Sequence, residues 1–391
     1  MEKKERAING LQESANNQLP ANLLCLSHLR WDFVFQRPQH LLTRLAKKLN
    51  VYFFEEPIFD ATEQAYLTIS SRGKNLSVIV PHIQPGLSPE EVNELQKDML
   101  DRFLVNKNLN DFAFWYYTPM ALEFTSHLKP SVTIYDCMDE LSAFKFAPPQ
   151  LKDLEKKLMD RADVMFTGGQ SLYEAKKHQH ENIYPFPSSI EQKHFAKGRT
   201  ISEQPADQKD IAGPKLGFYG VIDERFDIEL IRGIAEARPE WQIVLLGPVV
   251  KIDPETLPKN SNIHYLGSKT YQELPSYLAG WDVALIPFML NESTRFISPT
   301  KTPEYLAAGK PVVSTAIRDV VKPYGVNNLV SIATDARDFV KAIELELTSP
   351  KEEWLKEVDA FLAQNSWDLT VKNMLQLIEN SITEKVSSSA A

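Results

Sequence analysis

Residues 295–315 read RFISPTKTPEYLAAGKPVVST, and they hold the densest set of chemically useful side chains in the chain. Thr302 as N-cap, Pro303 at the first helical position and Gly309 just past the end predict a short helix over 303–308. A buried strand should follow from Pro311. Ahead of that helix stand Ser298, Thr300 and Lys301, two hydroxyls and a cation beside backbone N–H groups that a helix start leaves unbonded. Such a set suits an anion, and a diphosphate in particular. Glu304, in the first turn, can turn its carboxylate into the same space and accept hydrogen bonds from vicinal hydroxyls, as on a ribose. The same residues also fit an ordinary capped helix, with Lys301 solvated and Glu304 complementing the helix dipole.

The elements that must position this segment alternate regularly. Compact apolar runs at 22–28, 51–54, 75–80, 112–117, 132–135 and 164–167 read as strands, and amphipathic runs at 39–49, 89–104, 151–162 and 171–179 as helices. Ser88, Pro89 and Glu91 form a capping signature for the second of these helices. Residues 197–214 are polar, aperiodic and broken by Pro and Gly, which predicts a linker or long surface loop. Alternation then resumes, with strands at 216–219, 241–246, 262–266, 283–288 and 311–314, and closes on helices near 352–365 and 369–380. Strand–helix alternation implies parallel sheets joined by crossovers. The expectation is an α/β chain of two Rossmann-like doubly wound domains, 1–200 and 201–365, with a cleft between them and a tail, 366–391.

Composition narrows the function classes. The chain has 391 residues, 43% hydrophobic and 24% charged, with net charge −9. That is enough apolar material for real cores, and it leaves no basic footprint for wrapping nucleic acid. Cys25 and Cys137 sit inside apolar runs and read as small buried hydrophobes. The polar N-terminus, MEKKERAINGLQESANNQL, has no apolar signal core, and no apolar stretch is long enough to span a bilayer. The expectation is a cytoplasmic location.

The run P-T-K-T-P-E-Y-L-A-A-G-K-P-V-V resembles the nucleotide-sugar signature P-x-K-x-x-E-x-x-A-x-G-x-P-V-V of GT-B-fold glycosyltransferases. Segments such as LSHLRWDFVFQRPQHLLTRLAKK, IYDCMDELSAF, ADVMFTGGQSLYEAKK and GFYGVIDERFDIELI are also similar to bacterial family 1/4-like surface-polysaccharide transferases. The resemblance implies donor binding mainly by the second domain. It also implies C-terminal helices that cross back to the first, which suits Trp367, Val371, Met374, Leu375 and Leu377. Retaining members of the group carry a second glutamate eight positions before the equivalent of Glu304. Here that position is Phe296, and the nearest acid is Glu292. The chain also resembles inverting glucuronosyltransferases, which lack the paired acid, so both stereochemical outcomes stay open.

The resemblance gives the other candidates their roles. Asp136 and Asp139 follow a strand at its carboxyl edge, where doubly wound sheets bind ligands. An inverting transfer needs a base for the acceptor hydroxyl; Asp139 is the first choice and Asp136 the second, with turn capping as the plain alternative. His28, Arg30, Trp31, Gln36 and Arg37 leave the first strand as a polar and aromatic set suited to the acceptor side. Gly220 and Arg225 follow the first strand of the second domain, and Arg225 and Arg295 are the cations expected on the departing phosphates. The histidines are scattered, no metal or other cofactor is expected, and no Walker motif is present. The implied activity is transfer of a sugar from a nucleotide-diphosphate donor to a glycan or lipid-linked acceptor in cell-surface polysaccharide biosynthesis, and a lipid-linked acceptor would bring peripheral contact at the inner membrane face. A nucleotide-sugar epimerase or hydrolase on the same fold, and a non-catalytic sugar-nucleotide-binding partner of an assembly complex, are the alternatives.

Overall fold

The computed structural model describes residues 19–390; most of the polar N-terminal segment read above lies outside them. Eight strands build the N-terminal sheet: β1 (Asn22–Leu26), β2 (Asn50–Phe54), β3 (Tyr66–Gly73), β4 (Leu76–His82), β5 (Phe112–Tyr116), β6 (Val132–Cys137), β7 (Val164–Thr167) and β8 (Ile183–Pro185). Their order is β3-β4-β2-β1-β5-β6-β7-β8. All pairs are parallel except β3 with β4. Phe112–Tyr116 and Val132–Cys137 are buried at every position, as expected of parallel strands covered on both faces.

Six strands form the second sheet: β9 (Lys215–Tyr219), β10 (Gln242–Leu246), β11 (Ile263–Tyr265), β12 (Val283–Ile286), β13 (Val312–Ser314) and β14 (Ser331–Ile332). The order is β11-β10-β9-β12-β13-β14, parallel throughout. In each sheet the chain reverses its direction of travel beside the first strand, between β1 and β5 and between β9 and β12. Ligands of doubly wound sheets bind at the carboxyl ends beside such switch points.

The last helix, Trp367–Ala390, returns to the N-terminal sheet. Trp367, Val371, Met374, Leu375 and Ile378 are buried in one core with Leu23, Leu41, Trp115 and Phe166, and Leu377 packs at its margin. Cys25 and Cys137 are both buried.

Two local expectations are corrected, and one strand is added. The helix of the signature segment runs Lys301–Ala307, with Thr300 at its N-cap, two residues earlier than Thr302 and Pro303 implied. Pro303 is tolerated because the first turn of a helix leaves its N–H groups unbonded anyway. Segment 197–214 is not a loose loop. Gln208 is fully buried, donates to the Tyr277 carbonyl (3.0 Å) and accepts from Trp281 Nε1 (2.9 Å). Tyr66–Gly73 is a strand that the reading passed over; on the sheet edge it buries no residue fully, so it carries no apolar alternation.

Candidate active site

A cleft of about 570 Å³ lies between the two sheets. Its N-terminal wall is the strap 31–36 with Gln39, and its C-terminal wall comes from the ends of β9, β10 and β11 with Thr300, Lys301 and Glu304. Gly220 is at φ +141, and a Cβ there would stand 2.3 Å from Lys301 Cε. Backbone and lysine therefore approach as closely as glycine permits.

Lys301 holds its ammonium 5.7 Å from the ring centroids of Phe218 and Phe288. Among the described residues it forms no ion pair. Burial lowers its pKa, with Glu304 opposing. Glu304 is 6% exposed and accepts a short hydrogen bond from the Tyr219 hydroxyl. Burial raises its pKa, against the pull of Tyr219 and Lys301. A cation and a carboxylate, both desolvated and one turn apart, thus face one cavity, and shifted pairs of this kind mark functional sites. An anionic ligand group would compensate Lys301, and ligand hydroxyls would find an acceptor in Glu304.

Outside the cleft lining, Asp139 of the N-terminal body feels Arg225 of the C-terminal body. The carboxyl is half-buried, and burial raises its pKa to about 6, with Arg225 and Arg37 pulling it down. Arg225 is held by Asp223 through Nε (3.0 Å) and Nη2 (2.6 Å). Its guanidinium stands 5.5 Å from the Phe144 ring centroid, and Lys251 Nζ stands 5.8 Å from the same ring. Phe144 therefore meets two cations of the opposite body. His28 is nearby, its Nδ1 buried without a partner among the described residues. Burial, with Lys251 adding to it, lowers the His28 pKa to about 4.

Other expected residues stand elsewhere. Asp136 is fully buried and receives Arg37 Nε (3.0 Å) and Nη2 (2.8 Å), while Arg37 Nη1 bonds the Phe186 carbonyl (2.7 Å). Each occupies the other, so Asp136 is not presented as a base nor Arg37 as an acceptor contact. Arg30 ties the strap down through Glu55 (3.1 Å) and the Pro57 carbonyl (2.9 Å). Trp31 and Gln36 do line the cleft. Trp31 also packs edge-on against Phe53, and the Gln36 N–H donates to Gln39 Oε1 (3.0 Å). Arg295 is exposed, 3.5 Å from Glu292, outside the cleft lining. Ser298 is also outside it, its carbonyl accepting from Ser188 Oγ (2.7 Å).

Sequence reasoning missed Tyr219, which anchors Glu304, and Lys269, Thr270 and Tyr271, which line the cleft after β11. Tyr271 stacks on Phe35 at 4.4 Å across the gap. A Gly-Ser-Lys-Thr-Tyr turn at a strand end was the available signal for these. Among the described residues, no three His, Cys, Asp or Glu side chains cluster as metal ligands, and no helix is long and apolar enough to cross a membrane.

Residues 214–349 match the family model described as Glycosyl transferases group 1. A protein of Bacillus subtilis (strain 168) named for teichuronic acid biosynthesis, the glycosyltransferase TuaH, is 25% identical over 287 residues, covering 68% of this chain and 71% of its own. The chain has a GT-B-like fold and carries a Glycosyl transferases group 1 region. Its two-sheet frame is similar to an E. coli trehalose-6-phosphate structure bound with UDP-2-fluoro glucose (TM-score 0.69, 12% identity, 92% of this chain and 99% of that one). It is also similar to sucrose-phosphate synthase from Thermosynechococcus elongatus (TM-score 0.66, 14% identity, 95% and 100%). At these identities the likeness speaks to the GT-B fold alone.

Proposed function

We propose that this glycosyltransferase takes a nucleoside-diphosphate sugar in the cleft and transfers the sugar, without a metal ion, to a glycan or lipid-linked acceptor in cell-surface polysaccharide assembly. The observation that carries the reading is Lys301, a desolvated ammonium with no ion pair among the described residues, set against Gly220 one turn ahead of the buried Glu304 carboxylate. The diphosphate would meet Lys301 and Thr300, and Glu304 would hold the ribose hydroxyls. As the glycosidic bond breaks, negative charge grows on the leaving diphosphate, and a fixed cation in a water-poor cleft stabilises that charge. Arg225 is the second cation, carried by the same body. Asp139, with a raised pKa, is the group that would take the proton of the acceptor hydroxyl if the transfer inverts. The teichuronic acid relative supports the polysaccharide setting. A cytoplasmic location, beside the membrane when the acceptor is lipid-linked, fits this chemistry, and co-sedimentation with liposomes tests the membrane contact.

The test is thermal shift of the full chain with UDP, GDP, ADP and dTDP in turn. At least one should raise Tm, and Lys301→Ala should abolish both that shift and sugar transfer while leaving the Tm of the free protein unchanged or higher. Full transfer by Lys301→Ala overturns the assignment.

A further inference from the structure

A second cavity, of about 270 Å³, opens in the N-terminal body beyond the strap that walls the donor cleft. It sits at the carboxyl ends of β1 and β2, under the helix Pro89–Leu104. The volume is just below the ~300–1,000 Å³ of most ligand pockets, enough for one ring with its substituents and too little for a nucleotide. Three observations define what it would hold.

The first is an unpartnered polar group. Gln96 lines the cavity, is only 6% exposed, and makes no side-chain hydrogen bond among the described residues. A ligand with both donors and acceptors would find a free carboxamide there. The second is charge. Glu55, Glu56 and Glu123 line the cavity, and no lysine, arginine or histidine does. Arg30, which reaches Glu55, is already spent on it and on the backbone carbonyls of Glu56 and Pro57. The third is the mixed wall: Phe59, Met120 and Phe124 offer apolar faces opposite the carboxylates, the combination that matches a pyranose with its C–H face and its hydroxyl edge.

Glu55 joins this cavity to the donor cleft. Its Oε1 accepts from the Trp31 backbone N–H (2.7 Å), and Trp31 lines the cleft on the other side. We propose that the 270 Å³ cavity is an acceptor subsite one sugar or more away from the reacting hydroxyl, and that it accepts an uncharged or amine-bearing sugar and rejects an anionic one. The inference rests on the glycosyl-transfer reading of the cleft. It adds the chemical class of the acceptor: carboxylates accept hydrogen bonds from hydroxyl and ammonium groups and repel uronate and phosphate.

The experiment is saturation-transfer NMR on the full chain, with methyl glucoside, methyl glucosaminide and methyl glucuronide as probes. The glucoside and glucosaminide should bind, and the glucuronide at least tenfold more weakly at low salt, the gap narrowing in 0.5 M NaCl. Gln96→Leu should weaken glucoside binding at least fivefold. Phe59→Ala, at an exposed rim position, should do the same and keeps the test usable if the Gln96 variant does not fold. Glu56→Lys should narrow or reverse the discrimination against the glucuronide. Equal or tighter glucuronide binding, glucoside binding unchanged in both Gln96→Leu and Phe59→Ala, or no sugar binding at all overturns the proposal. Nucleoside diphosphates are titrated into the same samples. Sugar discrimination without any diphosphate binding would overturn the donor reading and leave the subsite standing.

Discussion

Asp319 of the C-terminal body caps a helix of the N-terminal body. Its Oδ1 accepts from the Ser171 backbone N–H (3.0 Å) and, at short range, from the Ser171 hydroxyl, at the start of the helix Gln170–Lys176. A cap is normally supplied from within its own chain segment; here it is lent across the seam, so the two bodies are held in register by a polar contact buried at 6% exposure.

Asp319→Ala should therefore cost about 1–2 kcal/mol, the usual size of a lost cap. It should also raise the radius of gyration in small-angle scattering as the seam loosens. Asp319→Asn, which keeps an acceptor, should recover most of the compactness. Unchanged scattering in the alanine variant would mean that the seam is held elsewhere.

Gly220→Ala adds one methyl where Lys301 Cε would lie 2.3 Å away, at a φ of +141 that a side chain rarely adopts. Lys301 must move, so the nucleoside-diphosphate thermal shift should fall at least tenfold in apparent affinity. Global stability should drop by about 1–3 kcal/mol. Parent-like affinity would dissociate the glycine from the lysine.

Asp139 connects activity with pH. If it is the base it must be ionised, so transfer should rise as pH climbs through about 6. Stability runs the other way: the folded pKa is raised from 3.8 to about 6, so between these values the folded state binds more protons than the unfolded, and stability falls as pH rises. Asp139→Asn should cut transfer by about 10²–10⁴ and be more stable than the parent above pH 6, by about 1–3 kcal/mol. Denaturant melts at pH 4.5 and 7.5, with initial rates, read both effects.

Arg37→Ala strands the fully buried Asp136. Removing one partner of a buried ion pair costs about 3–5 kcal/mol, whereas replacing both by apolar groups is often close to neutral. The double variant Arg37→Met, Asp136→Leu should accordingly be more stable in urea than Arg37→Ala alone. If Asp136 were instead the base, the double variant would fold and transfer nothing; we expect it to keep measurable transfer.

The doubly wound sheets were legible because parallel strands buried on both faces are continuous apolar runs, as in Phe112–Tyr116. The edge strand Tyr66–Gly73 was not, since little of it is buried. Within the cleft, Lys301 and Glu304 were readable from a dense local motif. Which aspartate is locked in an ion pair was not: Asp136 and Asp139 differ by three positions, and the arginine that occupies Asp136 is 99 residues away. Tyr219 and Gln96 were invisible for the same reason, because a tyrosine at a strand end and a glutamine on an amphipathic helix acquire meaning only from partners brought by the fold.

The closing helix Trp367–Ala390 completes a core begun at Leu23. Part of one face of the N-terminal sheet is covered by Arg37–Leu45, and the rest stays wet until a helix that follows the whole second sheet packs on it. An N-terminal fragment cut before the second sheet would need that helix supplied in trans to complete its core.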